Sequence, residues 1–194
     1  MKISVFLDNV LTKGALLGGV MLLSSVAENA MFCYGGGNWL VAMTIEFFVV
    51  AALYVYLVYR YTKGYADLIA TERKDAPYFT YGNGLSYIVT ISMLAGVIVA
   101  CGCYVFRYYI VGYEEFTASY MKFIQDVFVQ TEMPAASVDS FEQILREIEN
   151  RPQPSLISTI FSSVWSYLVS GTVVGLCVAG FTKRVPKNEN NDEQ

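Results

Sequence analysis

Apolar and polar residues in this chain are segregated into blocks rather than interleaved. Residues 12–32, 39–59, 85–109 and 156–181 form four long, predominantly apolar runs. A helix needs roughly 20 apolar residues to cross a hydrocarbon core of about 30 Å, because no water is present there to satisfy an open backbone. Each run meets that length, so the pattern predicts an all-α integral membrane bundle of four transmembrane helices. The first run also has the length of a secretory signal core, but Glu28 and Asn29 interrupt any small-residue cleavage site, which favours an uncleaved span. Residues 1–11, largely apolar with Lys2 and Asp8, are expected along the inner interface ahead of that span.

The connections sharpen the topology. Residues 34–38 contain three glycines, which predicts a tight turn that makes spans one and two an antiparallel hairpin, with Trp39 at the outer interface. Span two ends in Tyr54, Tyr56, Tyr59 and Tyr61 beside Arg60 and Lys63, the composition of an inner interfacial belt. Residues 62–83, with Gly64, Pro77 and Gly82, read as a loop carrying one short helix.

Beyond span three, Phe116, Tyr120, Phe123 and Val127 recur at helical spacing, which predicts an amphipathic helix. After Pro134 comes a second, with Ser140 and Gln143 at capping-box spacing and a stripe of Phe141, Ile144, Leu145 and Ile148. Residues 110–155 are therefore expected to form an extracytoplasmic helical hairpin between helices three and four, closed by Pro152 and Pro154. Residues 1–184 read as one domain, and the polar segment 185–194 as a disordered cytoplasmic tail.

Charge assigns the sides. Lys2, Lys13, Arg60, Lys63, Arg73, Lys74, Lys183, Arg184 and Lys187 all flank the spans on one side, so the positive-inside rule places both termini in the cytoplasm. The segment 110–155 holds eight acids against three bases and dominates the net charge of −4. That balance excludes nucleic acid as a partner, since phosphate binding needs a concentrated basic face.

Composition agrees with the pattern: 55% of residues are hydrophobic and 15% charged, where a soluble domain carries about 25% charged residues. There is no histidine, no nucleophile elbow, no phosphate loop and no dinucleotide fingerprint, so a non-enzyme without cofactor is expected. Cys33, Cys101, Cys103 and Cys177 fit no metal pattern and read as small packing residues, with a disulfide from Cys33 left open.

The run Phe79-Thr80-Tyr81-Gly82 leads into a small-residue-rich span, and Tyr108-Tyr109-Ile110 then precedes an acidic, aromatic helix. This order resembles the four-helix bacterial membrane family, of Bacteroidota type, known as domain of unknown function 4199, over roughly residues 10–184. The resemblance implies the bacterial cytoplasmic (inner) membrane and no chemistry.

Two sets of residues stand out. Gly14 and Gly18 in span one, and Ser162, Ser166, Ser170, Gly171 and Gly175 in span four, put small residues at helix-packing spacing, inside a bundle or between protomers. Glu28, Glu46 and Arg107 form a candidate intramembrane charge cluster. At 1.5 Å per residue, Glu46 lies about 10 Å below Trp39, and Glu28 about 6 Å below Phe32. A bare carboxylate at such depth costs several kcal/mol, so Arg107 is the expected counter-charge. Two functions are compatible with these features: a non-catalytic membrane component that engages a protein partner or a second copy through the outer stripes, or a small ion- or proton-coupled transport protein using Glu46, Glu28 and Arg107. Packing of the two acidic helices on each other is the first use expected of their stripes, ahead of partner docking, and their acidic polar faces disfavour the outer leaflet.

Overall fold

The computed structural model describes residues 3–34, 39–72, 78–130 and 138–184. Six α-helices run through them: α1 (Ile3–Tyr34), α2 (Trp39–Glu72), α3 (Tyr81–Val105), α4 (Tyr113–Gln130), α5 (Val138–Glu149) and α6 (Leu156–Thr182). A π-helical segment, Phe106–Gly112, joins α3 to α4 without a break. Among the described residues, extended pairing is confined to one antiparallel bridge between Phe79 and Arg184. Four helices, one of them α3 with its continuation, are long and apolar enough to cross a membrane. The glycine turn at 35–38, Pro77, the break at Pro134 and the tail 185–194 lie outside the described residues, as do the side chains of Trp39, Val127 and Ser140.

Local chemistry starts the spans. Thr80 caps α3, its hydroxyl accepting from the Asn83 amide at 3.2 Å, and Ser155 caps α6 through the Ser158 amide at 3.2 Å. Each cap satisfies one of the amides that a helix start leaves without a partner. The bundle is built around α3, which packs most extensively on α6 and α1, while α2 lies more loosely against the other three. Small residues set these approaches. A Cβ at Gly18 would fall 2.9 Å from Ile98, and one at Gly14 2.8 Å from Leu94, so α1 and α3 meet nearly backbone to backbone. Gly171 and Gly175 do the same for α6, facing Ser92 and Leu85.

Ser166 and Ser170, expected with these glycines, sit on the exposed side of α6. Successive helical residues are about 100° apart, so the face that buries Gly171 and Gly175 takes Ser163 and Tyr167 with it and turns the four-residue serine repeat away. The Ser163 hydroxyl donates to the Gly96 carbonyl at 2.9 Å.

The helices overrun the apolar runs at one end. We call the end holding residues 3 and 184 proximal and the end holding α4 and α5 distal. Residues 3–11 continue α1 rather than lying apart, and α2 continues through residues expected to be loop, as far as Glu72. These extensions carry their own apolar face, and it closes over a small aromatic core. Tyr65 and Tyr87 stack at 4.4 Å between ring centroids, with Phe6 and Phe79 edge-on to Tyr65 at 6.0 and 5.9 Å. The Tyr87 hydroxyl donates to Asn9 at 2.6 Å. Phe79 and Arg184 exchange backbone hydrogen bonds of 3.1 and 2.8 Å, and Arg184 also pairs with Asp67. Just distal to this core, Lys13 lies over the Tyr61 ring at 5.5 Å and Lys63 over Tyr59 at 6.0 Å. Tyr54, grouped with that belt in the sequence, is instead buried within the bundle.

Candidate functional site: a polar cluster at the distal end

The last three turns of α1 bring Ser24, Ser25, Glu28 and Asn29 into the distal part of the bundle, opposite Cys103 on α3 and Arg107 on the π segment. A π turn is wider than an α turn and commonly marks a functional position within a helix. Here it carries Arg107, and it ends at Gly112, whose φ of 98° is a left-handed value that a side chain would strain. The chain then resumes as α4.

Asn29 is the centre of this arrangement, with 1% of its surface exposed. Its carbonyl oxygen accepts from Arg107 Nε at 2.7 Å, and its amide donates to the Ser25 carbonyl at 2.5 Å and toward Cys103 Sγ at 3.9 Å. The Arg107 guanidinium also rests 5.1 Å from the centroid of Phe116, in the first turn of α4. One side chain thus ties α1, the π segment and α4 together. Further out, Phe32 of α1 meets Phe123 edge-on at 4.5 Å and Tyr120 at 6.0 Å.

The expected ion pair is replaced by this amide. Among the described residues, Arg107 makes no ion pair within 4.0 Å with Glu28 or Glu46. Glu28 is within electrostatic reach of both Glu46 and Arg107, so the three groups do share one region. The reason they do not join is angular. Asn29 points into the α1–α3 contact, and Glu28, about 100° away around the helix, is exposed beside it. Glu46 approaches from α2 and accepts a hydrogen bond from the Ser24 hydroxyl at 3.0 Å.

A second polar pair lies deeper. The Tyr54 and Ser92 hydroxyls are 2.7 Å apart, both buried, with Tyr167 edge-on to Tyr54 at 6.3 Å. Gly171 leaves the room they occupy, since its Cβ would fall 2.6 Å from Ser92 Oγ. Ser92 and Tyr167 were not singled out in the sequence, Asn29 entered only as an interruption of a cleavage site, and Tyr54 only as part of the inner belt. An uncharged asparagine in a membrane span is itself a signal, because its amide needs partners there.

The distal stripes divide their contacts. Phe116 meets Arg107, and Tyr120 and Phe123 meet Phe32, so this stripe reaches the bundle. An open groove between α4 and α5 is lined by Ala118, Met121, Lys122 and Gln125 on one side and Leu145, Arg146 and Glu149 on the other. Ile144 is half exposed, and Phe141 and Ile148 are partly so. All four cysteines are free thiols. Among the described residues, no group of three or more carboxylate or thiol side chains could hold a metal ion.

Comparison with known proteins adds one match. A family model described as protein of unknown function (DUF4199) matches residues 12–184. No curated protein and no solved structure matches the chain.

Proposed function

The chain belongs to that family, and from this premise we propose that it is a multi-pass protein of the bacterial inner membrane, non-catalytic, with both termini cytoplasmic. In this reading α4 and α5 form an extracytoplasmic hairpin that engages a protein partner or a second copy of the chain. The supporting observation is the anchoring of α4. Arg107 on Asn29 and Phe116, together with Phe32 on Tyr120 and Phe123, holds the first distal helix to the bundle. A helix held in this way restricts the angle at which the next helix is presented, which lowers the ordering cost of binding. The exposed Ile144 side of α5 is the surface offered.

A photo-crosslinking residue at Ile144 in intact cells tests this. A discrete adduct, of this chain or another, is expected; monomeric protein with no adduct overturns the reading. Reporter fusions at the C-terminus test the orientation, and an extracytoplasmic signal there would reverse it.

The polar cluster favours a second reading, a small ion- or proton-coupled transport protein with Glu46, Glu28 and Arg107 along the path. It is supported by ionisable groups gathered in one region of the spans, with Glu46 hydrogen-bonded across to α1. Flux driven by a pH gradient in proteoliposomes, in the wild type and in Glu46→Gln, tests it. Absence of flux in the wild type ends it.

A further inference from the structure

Bilayer thickness fixes where the proximal membrane surface crosses the helices. About 20 helical residues cover the hydrocarbon core. Counted from Trp39 that distance reaches Tyr59 in α2, and counted back from Tyr34 it reaches Gly14 in α1. Lys13 of α1 over the Tyr61 ring of α2 puts the two positions at one level, and that level is basic and aromatic: Lys13, Tyr59, Arg60, Tyr61 and Lys63. The aromatic core around Tyr65 and Tyr87 lies beyond it.

We propose that the belt of α1 and α2 at this level binds the phosphate headgroups of anionic phospholipids through Lys13, Arg60 and Lys63. This rests on the chain's crossing a bilayer and is independent of the partner and transport readings. Two of the three cations are positioned by rings: Lys13 over Tyr61 at 5.5 Å, which also links α1 to α2, and Lys63 over Tyr59 at 6.0 Å. A ring face attracts the ammonium without consuming its hydrogen-bond donors, so these remain for a phosphate. Arg60 is exposed between the two tyrosines in sequence, and its planar fork suits phosphate oxygens. Among the described residues, none of the three cations is paired with a carboxylate. On the distal side of the belt, Leu16, Leu53 and Tyr56 are exposed apolar surface for acyl chains. Basic clusters between helices at a membrane surface hold lipid headgroups in this manner.

The test counts lipid retained on purified protein in mild detergent by native mass spectrometry, with dioleoylphosphatidylglycerol and dioleoylphosphatidylcholine in equal amounts. Preferential retention of phosphatidylglycerol is expected. Each juxtamembrane cation contributes about fivefold, so Arg60→Gln weakens retention about fivefold and the triple Lys13→Gln, Arg60→Gln, Lys63→Gln variant about a hundredfold. Lys122→Gln, at the distal end, should leave it unchanged. Thermal unfolding without added lipid shows that each variant is folded, and should the triple variant fail, Arg60→Gln, an exposed position, decides alone. Equal retention of both lipids, or undiminished phosphatidylglycerol on the folded variants, overturns the proposal. Displacement of the lipid by excess inorganic phosphate also overturns it, assigning the site to a soluble anion.

Discussion

If Asn29 is the neutral partner that holds Arg107 in the bundle, the cost of removing the amide must depend on whether the cation is present. Asn29→Ala takes away the acceptor of a charge-assisted hydrogen bond, the donor to Ser25 and Cys103, and the volume of a side chain that is 1% exposed. A hydrogen bond to a charged group is worth about 1.5–3 kcal/mol in soluble proteins. Between membrane helices the measured average is nearer 0.6 kcal/mol, with a maximum of about 1.7 kcal/mol. With the cavity added, Asn29→Ala is expected to cost about 2–3 kcal/mol.

Arg107→Leu behaves differently. It loses the same bond and the contact with Phe116, but it also relieves a charge whose burial in a span costs about 2.5–3.5 kcal/mol, so its net effect should be small. In the Arg107→Leu background, Asn29→Ala then costs about 1 kcal/mol, leaving a coupling of about 1–2 kcal/mol. Reversible unfolding of the four proteins in mixed detergent micelles measures this cycle. A coupling below about 0.5 kcal/mol would refute the assignment of Asn29 as the partner and return the cation to the two glutamates.

Three further outcomes test the packing. Gly171→Ala should destabilise by about 1–3 kcal/mol, because its Cβ would press on Ser92 at 2.6 Å, whereas Gly19→Ala, with open space, should gain up to about 1 kcal/mol in the same unfolding assay. Gly112→Ala, at a φ of 98°, should cost about 1–2 kcal/mol and weaken an engineered disulfide cross-link between the Phe32 and Phe123 positions. Asp67→Asn removes an ion pair whose side chains are 41% and 51% exposed, so it should cost at most about 1 kcal/mol, and less as salt is raised.

The four spans were legible because hydrocarbon imposes a length on helices that any sequence must show. What the hydropathy runs could not show is where each helix ends, since a helix need not stop at the membrane surface. Beyond Tyr59, residues 62–72 carry Gly64 and a mixture of charges, and these read as loop. Yet Thr62, Tyr65, Ala66 and Ile69 are buried at helical spacing, and that amphipathic pattern continues α2 onto the aromatic core. In α4 the stripe itself was readable, but not its target. Phe116, Tyr120 and Phe123 pack on Arg107 and Phe32, a choice that depends on the angle at which the π segment releases the chain.

The charge cluster shows why a search by charge finds a region but not its chemistry. Glu28, Glu46 and Arg107 announced themselves because each is costly in an apolar run. Asn29 adds no charge and entered only as an interruption of a cleavage site, yet it is the residue on which Arg107 depends. The same one-residue step separates exposed Ser162 from bonded Ser163, and exposed Ser170 from buried Gly171. On a helix this step is a turn of about 100°, enough to exchange a bundle-facing residue for an exposed one. An apolar span has hydrophobic residues all round and so supplies no moment to orient it. Its register is set by where small residues allow contact, and Gly14 and Gly18 on α1 are what bring Asn29 rather than Glu28 to face Arg107. Enlarging either glycine should therefore act at the cluster as well as locally, by moving the α1 surface on which Arg107 rests.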